Sequence, residues 1–162
     1  QAPSMKIMTI DDEPVISQLL EIILEPLGYV MCSAQSGEKA LEVFEIERPD
    51  LVLLDLHMPD LNGIQLVRQL KTHCGERFVP IILLTRQFDD ELLADCIDAG
   101  GDDLISKPFN QTILEAKLRA WERNIKIFNA MLASHQNSLS TLSRNTLTSE
   151  EIKGLFAWSE DS

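Results

Sequence analysis

Asp11 and Asp12 side by side, a third carboxylate at Asp55, a hydroxyl at Thr85 and an ammonium at Lys107 each lie at the end of a short apolar run. If those runs are parallel strands of one open α/β sheet, their carboxyl ends share one edge, where such sheets hold their ligands. Three carboxylates within a few ångströms of one another cannot all stay ionised in a partly buried site without a cation. An all-oxygen set favours a hard ion such as Mg2+, and the lysine and threonine suit an incoming anion. The competing account is local, since Asp caps helices and forms turns, and Asp12 could cap a helix beginning at Pro14 while also facing a metal. That account covers any single Asp better than it covers the set. Spacing alone does not identify a nucleophile.

The elements that must position these groups are legible. Apolar runs at residues 7–10, 29–33, 51–54, 81–84 and, more weakly, 104–105 read as five strands. Between them the apolar residues recur at helical spacing: Val15, Ile16, Leu19, Leu20, Ile23 and Leu24, then Ala40, Leu41 and Phe44, then Ile64, Val67 and Leu70, then Leu92, Leu93, Cys96 and Ile97. Pro14 stands where a first helical turn tolerates it, Gly28 after Pro26 reads as a stop, and Gly100-Gly101 closes the fourth helix. Regular alternation of strand and helix predicts a doubly wound α/β domain with a parallel sheet and right-handed crossovers. The run Leu51-Val52-Leu53-Leu54 fits a strand buried on both faces.

The full series resembles the receiver domain of bacterial two-component response regulators: Asp11-Asp12, Asp55 with His57-Met58-Pro59 and Asn62-Gly63, Thr85, and Lys107-Pro108-Phe109. The resemblance spans about residues 5–122. It implies a flavodoxin-like (βα)5 fold with five parallel strands in the order 2-1-3-4-5. It further implies that Asp55 accepts a phosphoryl group from a histidine kinase or phosphotransfer protein, and that Asp11, Asp12, Asp55 and the backbone carbonyl of His57 hold Mg2+. Thr85 would hydrogen-bond the phosphoryl oxygens and Lys107 would neutralise them. Such a receiver promotes its own phosphorylation and dephosphorylation, because carboxylate attack on phosphorus needs positioning and charge neutralisation above all.

Two positions depart from the family pattern. Arg86 follows Thr85 where a small residue is usual, and could screen the phosphoryl group or restrict access to the pocket. Leu104 stands where the family often has an aromatic that turns inward with the Thr, so conformational change is expected to pass through the loop after Thr85 or through helix packing. The imidazole of His57 is expected to line the pocket mouth. The acids Asp89, Asp90, Glu91, Asp95, Asp98, Asp102 and Asp103 read as a solvated face around the fourth helix, the alternative being a surface for a basic partner.

Composition excludes several classes. Lys and Arg total 14 against 26 Asp and Glu, a formal net charge of -12, which opposes direct binding to nucleic acid or anionic membrane. No apolar run approaches the ~20 residues needed to span a bilayer, and Gln1-Ala2-Pro3-Ser4 lacks the features of a signal peptide, so a cytoplasmic protein is expected; one reading of those four residues is an expression remnant ahead of a native Met5. Cys32, Cys74 and Cys96 are odd in number and widely spaced, which points to reduced thiols.

Beyond the receiver, Leu114, Leu118, Trp121, Ile125, Phe128, Leu132, His135, Leu139 and Leu142 continue at spacings of four and three. This predicts a helical coiled-coil extension over residues 123–143, pairing in parallel with a second copy, with Leu118, Ile125, Leu132 and Leu139 at one core position and Trp121, Phe128, His135 and Leu142 at the other. A helix folded back on its own domain is the alternative. Residues 144–162 read as a linker with a short amphipathic helix over 147–156, where Thr148 and Glu151 form a capping box and a peptide similar to the receiver-binding segment of a flagellar switch protein begins. The expected role is a receiver that passes its signal through a dimerising helix to an output domain or effector protein. The alternative is a stand-alone or divergent receiver acting as a protein-interaction platform.

Overall fold

The computed structural model describes residues 5–58, 62–86 and 90–144, with side chains described through residue 139. Five strands, β1 (Lys6–Ile10), β2 (Val30–Ala34), β3 (Leu51–Asp55), β4 (Ile81–Thr85) and β5 (Asp103–Ser106), form one parallel sheet in the order β2-β1-β3-β4-β5. Five helices alternate with them: α1 (Pro14–Leu24), α2 (Gly37–Glu47), α3 (Gly63–His73), α4 (Asp90–Asp98) and α5 (Gln111–Arg144). The predicted (βα)5 fold and strand order are both present.

Strand alternation sorts the core into two layers. Met8, Ile10, Val52, Leu54, Ile81 and Leu83 face Phe44 of α2, Leu66 and Leu70 of α3 and Cys96 of α4. Ile7, Leu51, Leu53, Ile82 and Leu84 face Leu20 and Leu24 of α1 and Leu114 and Leu118 of α5. Every residue of β3 and β4 is buried, as expected of central parallel strands covered on both faces. Each fully buried leucine or isoleucine contributes about 1.5–3 kcal/mol before conformational entropy is subtracted.

Caps set where the helices begin. Ser36 Oγ accepts the Lys39 N–H, Asn62 Oδ1 the Gln65 N–H and Asn110 Oδ1 the Ile113 N–H, each satisfying a donor that the first helical turn leaves free. At α1 the expectation fails in detail. The N-cap is Glu13, without a side-chain cap bond, and Asp12 is exposed, leaving Pro14 at the first turn to fix the start.

The chain divides into two units, Gln1–Ile125 and Lys126–Ser162. Within the first, Leu114, Leu118 and Ile125 of α5 are buried in the core and Trp121 packs beside them, 6.1 Å from the Phe78 ring. This corrects the predicted seam, because Leu118, Trp121 and Ile125 serve the domain's own core. The same spacing of four and three serves a core-facing helix and a coiled coil, so sequence could not separate them. Within the second unit Phe128 and Leu132 are half-buried, while Ile127, Met131, His135 and Leu139 are exposed. The predicted helix at 147–156 lies outside the described residues. No described helix is long and apolar enough to cross a membrane.

Candidate functional site

The carboxyl ends of β1, β3, β4 and β5 bring the predicted groups together. Asp11 extends β1 by one residue, its N–H donating to Ala34 O of β2, and Asp55 closes β3 opposite Leu84 of β4. Thr85 closes β4, and its carbonyl accepts the Lys107 N–H at 2.8 Å, which sets Lys107 at the same edge just past β5. The bond from Lys107 to Pro108 is cis.

Oxygen atoms of Asp11, Asp12 and Asp55 lie within 4.8 Å of one another. Asp11 and Asp55 are each 1% exposed and Lys107 is 9% exposed, so these charges sit largely out of water. Lys107 Nζ lies 2.7 Å from Asp55 Oδ2 and 3.9 Å from Asp11 Oδ2, placing one cation between two carboxylates. The 2.7 Å contact is a close, buried ion pair. Asp55 Oδ1 accepts the N–H of His57 at 2.9 Å and Asp11 Oδ1 that of Glu13 at 2.7 Å, so each carboxylate is oriented by the loop that follows it.

Asp11 Oδ2 is buried with no hydrogen-bond partner among the described residues. Burial pushes the Asp11 carboxyl up to about 6; the Glu13 amide opposes the rise, the charge on Asp55 adds to it, Lys107 opposes it and Asp12 adds to it. A buried oxygen with no hydrogen bond, its one cation 3.9 Å away and two further carboxylates beside it, fits a hard divalent cation, and the all-oxygen donor set agrees.

Sequence reasoning missed one participant. His57 is exposed, and its ring reaches across to β4, where Nε2 accepts the Arg86 N–H at 2.8 Å and lies 3.1 Å from Thr85 Oγ1. No spacing rule reveals this contact, because it depends on the register that sets the end of β3 beside the end of β4. The Arg86 side chain reaches Glu13 at 3.5 Å, which gives this departure from the family pattern a definite partner. Leu104 is half-buried against the core layer shared with Leu83.

The acidic run is only partly a solvated face. Asp90, Glu91, Asp95 and Asp98 are exposed on α4. Asp102, by contrast, accepts from Lys71 Nζ and Ile81 N, and Asp103 accepts from Lys117 Nζ, Trp121 Nε1 and Leu104 N.

The response regulator receiver domain family matches residues 7–119. The chain belongs to that family. A probable transcriptional regulator, ycf27, from Porphyridium aerugineum is 42% identical to this receiver over 120 residues, covering 74% of this chain and 49% of the relative. The DNA-binding response regulator MtrA of Mycolicibacterium smegmatis is 37% identical over 115 residues, 71% of this chain and 49% of its own length. The chain thus spans about half the length of these curated relatives. Among solved structures, the receiver domain of an HD domain-containing protein from Pseudomonas fluorescens superposes with a TM-score of 0.71 at 28% identity, covering 76% of this chain and 98% of that one. A two-component response regulator from Clostridium difficile gives 0.69 at 29% identity, covering 74% and 97%.

Proposed function

We propose that this chain is a phospho-accepting receiver that takes a phosphoryl group from a histidine kinase or phosphotransfer protein onto Asp55. The observation that carries this reading is the buried Asp55 carboxylate, 2.7 Å from the Lys107 ammonium at the ligand edge of the sheet. Asp55 attacks phosphorus, the bond to the donor's leaving group breaks, and Lys107 offsets charge on the transferred group while Thr85 donates to one of its oxygens. Asp11, Asp12, Asp55 and the backbone carbonyl of His57 would hold Mg2+. When bound, the ion neutralises phosphoryl charge and lets the acidic cluster admit an anion.

The signal is proposed to leave through α5 toward an output domain or effector protein. Pairing of α5 with a second copy is part of this reading, with the available seam beginning beyond Ile125. Incubation of the chain with acetyl phosphate and Mg2+ should add one phosphoryl mass, absent when Mg2+ is chelated and absent from Asp55→Asn. Equal labelling of Asp55→Asn would overturn the assignment.

A further inference from the structure

We propose that the His57 imidazole is a positioning residue that keeps the unphosphorylated arrangement by occupying the two donors a phosphoryl group on Asp55 would use, an inference that rests on the receiver chemistry above. Nε2 already accepts from the Arg86 N–H, so in its second contact the Thr85 hydroxyl is the donor. A backbone N–H and a hydroxyl beyond a strand end are the groups that recognise oxyanions. Thr85 and Arg86 follow Leu84, the residue paired with Asp55, so both donors stand on the adjoining strand just past the acceptor.

His57 is tied to the same acceptor from the other side, since its own N–H donates to Asp55 Oδ1 at 2.9 Å. One residue therefore contacts the acceptor through its backbone and restrains the donors through its ring. The ring nitrogen offers a single lone pair to two donors, whereas a phosphoryl group offers several charged oxygens, so the exchange of partners favours the phosphorylated state. Losing the imidazole contacts still opposes that exchange, and the Arg86 to Glu13 ion pair steadies the same turn. The ring thus stands in for the anion until the anion arrives.

The test uses the full chain with Mg2+ and fluoroberyllate, a phosphoryl mimic. His57→Phe keeps the ring volume and loses the acceptor, while His57→Gln returns an acceptor at similar reach. The Phe variant should bind fluoroberyllate about five- to tenfold more tightly than the parent, as expected for loss of one competing hydrogen bond or slightly more, and the Gln variant should stay close to the parent. A Phe variant that binds no more tightly than the parent overturns the inference. In the parent alone, saturation with fluoroberyllate should move the His57 Nε2 nitrogen resonance and the Arg86 amide together; an unmoved Nε2 resonance overturns it without any variant. Labelling of Asp55 by acetyl phosphate separates the two readings. If the parent labels and the Phe variant gains nothing, the imidazole role alone fails, whereas a parent that neither labels nor binds fluoroberyllate removes the receiver chemistry and this role with it.

Discussion

The indole N–H of Trp121 donates to Asp103 Oδ2 at 2.8 Å, and Lys117 Nζ holds Oδ1 of the same carboxylate at 2.7 Å, so one Asp at the start of β5 grips two successive turns of α5. Burial alone would raise the Asp103 carboxyl, but the bonds from Lys117, Trp121 and the Leu104 N–H outweigh it and hold the group below its ordinary value. A carboxyl whose folded value is depressed contributes stability that is present above the unfolded value of about 3.9 and is lost as pH falls through the folded one. Trp121 fluorescence should therefore be steady above about pH 4 and change below it. Asp103→Asn should abolish that acid transition and cost about 1–3 kcal/mol at neutral pH by urea unfolding. A transition that persists in the variant would assign it to other carboxyls.

Asp11 predicts the opposite sign. Without a metal ion, its buried carboxylate faces Asp55 and Asp12 with one oxygen lacking a hydrogen bond and only the more distant Lys107 to offset it, so Asp11→Asn should stabilise the metal-free domain by about 1–3 kcal/mol. The parent should melt at a higher temperature when Mg2+ is added, and the variant should respond weakly or not at all. A variant that melts below the metal-free parent contradicts the argument.

Gly100 has a φ of +125°, and a Cβ there would come within 2.8 Å of Lys71 Cγ. The lysine stem cannot easily yield, because its ammonium is fixed to Asp102 at 2.7 Å and to Val79 O at 3.0 Å. Gly100→Ala should lower stability by roughly 1–3 kcal/mol through backbone strain and displacement of Lys71. Thermal melts of Gly100→Ala beside Lys71→Ala decide whether the two effects share a cause: if they do, the double variant loses less than the sum of the singles.

Along α5 the two halves should respond differently. Leu118→Ala, which empties a fully buried site, should destabilise the receiver by about 2–5 kcal/mol. Leu139→Asp lies at an exposed position in the other unit and should leave receiver unfolding unchanged. Sedimentation then tests the proposed pairing: Leu139→Asp should shift the parent toward monomer, and a parent already monomeric at tens of micromolar would remove the dimer.

The fold was readable because two independent periodicities agree. Strand residues alternate so regularly that Ile7 and Met8, or Leu53 and Leu54, fall in opposite core layers, while the helical segments between them keep one apolar face. The grouping of these residues was readable because Asp55 and Thr85 close their strands and Asp11, Asp12 and Lys107 follow a strand end within two residues. What stayed hidden depended on contacts between strand ends or on choices between identical patterns. His57 meets Thr85 only through the register of β3 and β4, Asp102 and Asp103 look like surface charge until Lys71 and Trp121 are brought to them, and the apolar stripe of α5 reads alike whether it faces its own sheet or another chain.

The adjacent acids at the head of β5 have a consequence for association. β5 is an edge strand, and an edge offers unpaired backbone groups to any passing chain. Asp102 is clamped to Lys71 and Ile81, toward α3 and β4, and Asp103 to Lys117 and Trp121 of α5. The two clamps hold the strand to the layers on both sides of the sheet, and β5 is only four residues long. To add a foreign strand there, a second molecule would have to approach a short edge flanked by fixed carboxylates, so this border of the sheet is guarded against fibrous growth by the same bonds that anchor α5.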